Sequence, residues 1–281
     1  MRYFTALFAL LFTLPSIAQS SLLWKIEGKD IKKPSYLFGT IHLIPASDYF
    51  EPKGLDAAFN SCELLVGEMD LSDITGMSLE VMANMQMKGD TTLDMLLTKE
   101  EYDKLDKRFL STLGIGLDFM KSFKPIFLST MLMTPGEGEE TKSYELELME
   151  KAKKKGIKMA GLETLQEQMG FLDVLPYSFQ AKELVKMLDV KTDDSDFQKM
   201  VQVYKSQNLD ELYAIIKGQS EGSAMEDVLL VKRNQNWIQK IVNIAQTQPS
   251  FIAVGAGHLG GENGVIHLLK AQGFKVTPVL D

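Results

Sequence analysis

Two of the three histidines in this 281-residue chain share one local setting. His42 closes Gly39-Thr40-Ile41-His42 behind the apolar run at 35–38, and His258 closes Gly255-Ala256-Gly257-His258 behind the run at 251–254. Two carboxylates occupy comparable places. Glu68 follows the apolar residues 64–66, and Glu163 stands between a strand-like run ending at Leu162 and the helix-starting Thr164. Imidazole and carboxylate together ligate a divalent ion such as Mn2+, Co2+ or Zn2+ while leaving a coordination position open. An ion held that way activates water and polarises a carbonyl. The pattern predicts one site holding His42, His258, Glu68 and Glu163, with the histidines and one carboxylate on the metal and the remaining carboxylate as general base. For Glu163 a plainer role is open as well, since a carboxylate also favours the positive start of the next helix.

A fifth group comes from the stretch 226–245. Leu230, Trp237, Ile241 and Ala245 recur there on one helical face, with Asn234 on the stripe and Arg233 beside it. Polar groups on an apolar face need partners. Arg233 is therefore expected to hold a site carboxylate or to orient an acidic group of the substrate. The alternative is an edge arginine whose stem covers apolar surface. His267 lies inside a helical run at 265–271 with no glycine before it, and reads as a surface or packing residue. The glycines at 255–261 resemble a nucleotide loop only weakly, because the third is misplaced and no Lys-Ser/Thr follows. They serve better to turn the backbone tightly at His258.

The elements that must position these groups are legible in the apolar spacing. Short strand-like runs stand at 22–26, 35–38, 64–66, 157–162, 251–254 and 275–279. Helical spacing marks 54–59, much of 78–133, 144–155 and 265–271. Gly156 is placed to cap 144–155, and Thr164 with Glu167 has the form of a capping box. Residues 134–141 read as an exposed loop. Residues 165–246 read as mostly helical, with polar breaks near 193–196 and 218–223. The expected fold is α/β: one central mixed sheet built from N- and C-terminal strands, with a long helical middle segment. Residues 19–281 form a single domain with a helical insertion at about 165–249. In such a sheet ligands collect at the carboxyl ends of the strands, where all four candidate residues fall.

Composition limits the function further. The formal net charge is −8, which argues against a nucleic-acid partner. Cys62 is the single cysteine, so there is no internal disulfide, and its apolar flanks predict a buried, inert thiol. Arg2, the apolar run to Leu14, Pro15 and then Ser16-Ile17-Ala18 form a secretory leader over residues 1–18, so the mature protein is expected to be periplasmic or secreted. No second apolar run approaches the length of a membrane span, so no stable insertion is expected after cleavage.

These residues are together similar to the TraB/PrgY/GumN family, which includes the Tiki-type proteases. The matching pieces are Leu37-Phe38-Gly39-Thr40-Ile41-His42, residues 63–68, Gly161-Leu162-Glu163-Thr164 with Glu167-Gln168, Arg233-Asn234 with Trp237, and residues 254–260. They span nearly the whole mature chain. The resemblance implies a metal-dependent protease relying on two Gly-X-X-His motifs and a glutamate, with His42, His258 and Glu68 as the metal and catalytic set. Where the family pattern has an aspartate, this chain has Ser143-Tyr144-Glu145. The expected function is a divalent-metal hydrolase acting on a peptide or small acyl substrate outside the cytoplasm. The alternative is a binding protein that sequesters a peptide, haem or metal in the same pocket. Intact mass of the exported protein should place its N-terminus at or near Gln19; retention of Met1 would defeat the leader assignment.

Overall fold

A computed structural model of the chain describes residues 21–70, 81–132, 140–189, 194–219 and 226–280. The expected leader, most of the expected loop at 134–141 and parts of the breaks at 193–196 and 218–223 lie outside those residues.

Among the described residues eight strands are formed: β1 Leu23–Glu27, β2 Ser35–Thr40, β3 Ile44–Pro45, β4 Leu64–Met69, β5 Thr141–Lys142, β6 Lys158–Glu163, β7 Ser250–Gly255 and β8 Lys275–Pro278. Six of them make one sheet in the order β6-β4-β7-β2-β1-β8. β6, β4, β7 and β2 pair in parallel, and β1 runs antiparallel to both β2 and β8. This is the mixed sheet from both chain ends that the apolar runs predict, with a mostly helical middle. β7 lies centrally, and its residues 250–254 are all buried. A strand covered on both faces reads as a continuous apolar run, which is what Phe251-Ile252-Ala253-Val254 is.

The strands run further than their apolar residues do. β2 continues through Gly39 and Thr40, β4 through Glu68 and Met69, and β6 ends on Glu163 itself. Ladder hydrogen bonds use backbone groups, so glycine and polar residues at the strand ends stay paired although they break the apolar pattern. The pairs Thr40↔Gly255 and Met69↔Glu163 thus set the site residues in register with one another.

The caps form as their residue types require. Gly156 takes the left-handed conformation, φ 66°, behind the helix Tyr144–Lys155. Thr164 accepts from Glu167 N–H while the Glu167 carboxylate accepts from Thr164 N–H, which starts the helix Leu165–Asp173 directly after Glu163. The main core packs Phe38, Phe59 and Phe251 with Tyr144, Tyr204 and Trp237. A second apolar cluster joins Leu93, Leu105, Phe109, Leu117 and Leu128 to Ala181 and Leu184. Lys124, 1% exposed, and Lys88 both pair with Asp173, so the end of the helix that leaves Glu163 is tied to this second cluster. Cys62 is buried, and burial pushes its thiol up to about 11, which makes it unreactive. Among the described residues no helix is long and apolar enough to cross a membrane.

Nothing in the apolar spacing anticipates the small sheet of β3 and β5, whose strands are too short to carry a period. It pairs the segment just after His42 with the segment just before Glu145, and Ala46 N–H adds a bond to the Glu140 carbonyl.

The close approach of β2 to the turn after β7 depends on Gly39. A methyl group there would come within 2.9 Å of Leu259 Cδ1 and 3.1 Å of the Ala256 Cα. Gly39→Ala should destabilise by about 1–3 kcal/mol through overpacking against backbone. The measurement is a urea titration, with a lower midpoint at unchanged slope expected; an unaltered midpoint would mean the two turns are not in tight contact.

Candidate active site

The four parallel strands deliver their polar residues to one edge of the sheet. Glu68 is on β4, Glu163 ends β6, His42 lies two residues past β2, and His258 ends the short 3-10 turn Ala256–His258 after β7. The helix Lys232–Thr247 crosses this edge and buries Arg233, Asn234 and Trp237 against it. A π-helical turn, Asp227–Val231, precedes that helix, and Arg233 Nη1 donates back to the Leu229 carbonyl.

Arg233 is the hub. Its Nε donates to Glu163 Oε1 at 3.0 Å, and Nη2 donates to Glu163 Oε2 at 2.9 Å and to Glu68 Oε2 at 2.6 Å. Its Nη1 lies 3.3 Å from His258 Nε2. Trp237 Nε1–H donates to Glu163 Oε1 at 2.8 Å, so both oxygens of this buried carboxylate are taken. Glu68 Oε1 instead accepts from Gly255 N–H at 2.9 Å and lies 3.7 Å from His258 Nε2. The buried His258 ring packs on Trp237 with centroids 4.4 Å apart, and its Nδ1 meets Asn234 Oδ1 at 2.7 Å.

His42 differs in setting. Its side chain is 75% exposed, and Nδ1 meets Glu145 Oε1 at 2.9 Å. The same oxygen accepts from Thr40 Oγ at 2.7 Å, and Ser143 Oγ donates to the other at 2.9 Å. Glu145 sits in the first turn of the helix Tyr144–Lys155, where the small β3–β5 sheet holds it against the end of β2.

The ionisation states follow from these contacts. Burial drives His258 down to about 3, with Arg233 and His42 adding to the shift and only Glu68 opposing it. The ring is therefore neutral at pH 7. Burial works against charge on Glu68, yet Arg233, His42, the Gly255 N–H and, at low pH where it is protonated, His258 outweigh that and hold the carboxyl well below the usual range. Since His258 is neutral near pH 7, Arg233 and His42 are the cations that keep Glu68 ionised there. The hydrogen bond that Glu145 accepts from Nδ1 raises His42 to about 9. Water around so exposed a ring screens the pair and tempers the shift.

Glu68, Glu163, Arg233 and His258 are thus joined by direct contacts, whereas the contact made by the fifth expected group, His42, is with Glu145. His267 stands apart, exposed on the helix Val265–Ala271. Two members are additional. Asn234 was visible as a polar residue on an apolar stripe, and Glu145 as the residue where a shorter acid was expected, but neither spacing disclosed that each holds an imidazole nitrogen.

The donor set suits a divalent ion in its chemistry. Metal-bound imidazoles are held through their other nitrogen by a carboxylate or another protein oxygen, and here each Nδ1 has such a partner, so that Nε2 is the atom a metal would take. Glu68 Oε1 and His258 Nε2, 3.7 Å apart, are close enough to share an ion with bonds of ~2.0–2.2 Å. The two carboxylates on Arg233 also outnumber its single charge. Among the described residues, however, no three His, Cys, Asp or Glu side chains are drawn into a ligating group, and Arg233 Nη1 occupies the face of Nε2.

An α/β sheet with paired Gly-X-X-His turns and carboxylates at the carboxyl ends of its parallel strands defines the class of this protein. The chain belongs to the TraB/PrgY/gumN family, whose model matches residues 22–278. It is 23% identical to Metalloprotease TIKI2 of Danio rerio, over 92% of this chain and 60% of that protein. It is 24% identical to Metalloprotease TIKI1 of Danio rerio, over 93% and 64%, and 23% identical to the Metalloprotease TIKI homolog of Amphimedon queenslandica, over 92% and 61%. The chain therefore spans less than two thirds of the length of these relatives. No solved structure matches it.

The His42–Glu145 pair predicts a pH dependence. The folded value of His42 lies above its ordinary 6.5, so the contribution of the pair is fully present below that value and is lost as pH rises towards about 9. Glu145 is lowered, burial opposing and His42 with Thr40 prevailing, so acid also removes the contribution by protonating it. In metal-free protein, the NMR titration midpoint of His42 should fall towards 6.5 in Glu145→Gln. An unmoved midpoint would show that Glu145 does not hold the ring.

Proposed function

We propose that the chain is a divalent-metal-dependent hydrolase of peptidase type, acting on a peptide or small acyl substrate in the periplasm or after secretion. The carrying observation is that Glu145 and Asn234 each hold the Nδ1 of a histidine, and that His258 Nε2 lies 3.7 Å from an ionised Glu68. His42, His258 and Glu68 would hold Mn2+, Co2+ or Zn2+. When bound, such an ion lowers the pKa of water to near 7 and polarises a carbonyl. The names of the Tiki metalloproteases, which align over most of this chain, favour the same reading.

The protein's own groups divide the remaining work. Glu68 is the carboxylate that reaches the open side, with 15% of its side chain exposed against 2% for Glu163. It is suited to accept a proton from water or to share the ion. Glu163 spends both oxygens on Arg233 and Trp237 and holds the guanidinium in place. Arg233 helps keep Glu68 ionised, and through Nη1 it is the group nearest the His258 nitrogen at which an anionic substrate oxygen would arrive.

The test is elemental analysis of purified protein, then removal of metal and add-back of Mn2+, Co2+ and Zn2+ while cleavage of a quenched fluorescent peptide library is followed. His42→Ala and His258→Ala should reduce both bound metal and cleavage to background, at a stability cost within the ordinary ~0.5–3 kcal/mol. His267→Ala should change neither. Stoichiometric metal without turnover would favour the sequestering alternative; no metal effect in the wild type would remove the hydrolase reading.

A further inference from the structure

We propose that Asn234 is a positioning residue that locks His258 in the tautomer protonated at Nδ1, so that Nε2 permanently offers a lone pair. The amide has two orientations in principle, and its surroundings allow one. One end of the side chain faces two backbone carbonyls, with Nδ2 at 3.3 Å from His258 O and 2.8 Å from Asn263 O. A carbonyl oxygen accepts and never donates, so the NH2 must point there. Oδ1 is then the atom that meets His258 Nδ1 at 2.7 Å. An amide oxygen accepts too, so the proton must lie on Nδ1.

The opposite side of the ring gives the same result independently. Arg233 Nη1 stands 3.3 Å from His258 Nε2. A guanidinium has only donors, so the nitrogen facing it must be an acceptor. The other tautomer would set N–H against N–H at Nε2, a lone pair against the Asn234 oxygen at Nδ1, or, with the amide turned, oxygen against both carbonyls. Trp237 holds the plane of the ring, and residue 234 sits near the start of a sixteen-residue helix whose inner face is fully packed, so the amide has little freedom to rotate. The protein selects the tautomer with groups it already needs to bury.

The consequence for metal rests on the hydrolase reading above, whereas the tautomer itself does not. It is read in metal-free, 15N-labelled protein by long-range 1H–15N correlation of the imidazoles. Three histidines make assignment simple, with His258→Gln identifying the signal by its loss. The expected spectrum has a pyrrole-type Nδ1 and a pyridine-type Nε2; the reverse pattern, or a cationic ring at neutral pH, would overturn the proposal. Asn234→Leu removes the acceptor and should give a tautomer mixture together with about tenfold to hundredfold weaker Zn2+ binding in a competition titration. Asn234→Asp retains an acceptor at Nδ1 and should keep the tautomer, while its second oxygen faces the His258 and Asn263 carbonyls and lowers the thermal midpoint. If Asn234→Leu does not fold, the wild-type and Asn234→Asp spectra decide. An unchanged tautomer in folded Asn234→Leu rejects the assignment. A wild type that takes up none of Mn2+, Co2+ and Zn2+ but has the expected spectrum removes the hydrolase reading and leaves the tautomer lock standing.

Discussion

A single buried guanidinium organises this site. Arg233 is 7% exposed and binds carboxylates from two neighbouring strands while facing the histidine that follows a third. Taking a cation out of water is costly, and the cost is recovered only where geometry is good and every donor is used. Here the three guanidinium nitrogens make six contacts, to Glu163, Glu68, His258 and the Leu229 carbonyl. The converse holds for the acids. Two carboxylates side by side at the ends of β4 and β6 would repel, and removing their shared cation would leave uncompensated charge inside, a change of the order of 3–5 kcal/mol.

The sheet order explains why this arrangement needs the whole chain. β7, built from residues near the C-terminus, lies between β2 and β4, built from residues near the N-terminus. That insertion sets the two Gly-X-X-His segments side by side, with Thr40 opposite Gly255, and brings the Gly255 N–H to Glu68. Tyr204 reinforces the junction by donating to the Gly39 carbonyl at 2.9 Å, so a helix from the middle of the chain also bears on the strand end. The small β3–β5 sheet completes the assembly by carrying Glu145 to His42. The two histidines are consequently unlike: one buried, neutral and held by an amide, the other exposed, basic and held by a carboxylate.

Much of this was legible in the sequence because it is local chemistry. The apolar runs located the six strands of the main sheet. Thr164 with Glu167 and Gly156 marked helix ends, since caps satisfy backbone groups within a few residues. Four chemically able side chains stood just beyond apolar runs, and Arg233 and Asn234 stood out as polar residues on an apolar helical face. Periodicity was blind to the last residues of β2, β4 and β6, where backbone pairing continues after the apolar side chains stop.

The residue types and their spacing thus determined which side chains could do chemistry, which runs would be strands, and that the strands come from both ends of the chain. Tertiary structure alone decided the strand order, the pairing of β3 with β5, and the partner of each polar atom. It also separated the two glutamates, making Glu163 the buried anchor of Arg233 and leaving Glu68 at the open side. The physical reason is range. Propensity, capping and periodicity act over a few residues, whereas Glu145 meets His42 across 103 positions and Arg233 meets Glu68 across 165. Contacts so distant in sequence are set by how the sheet and helices pack, and no local pattern encodes them.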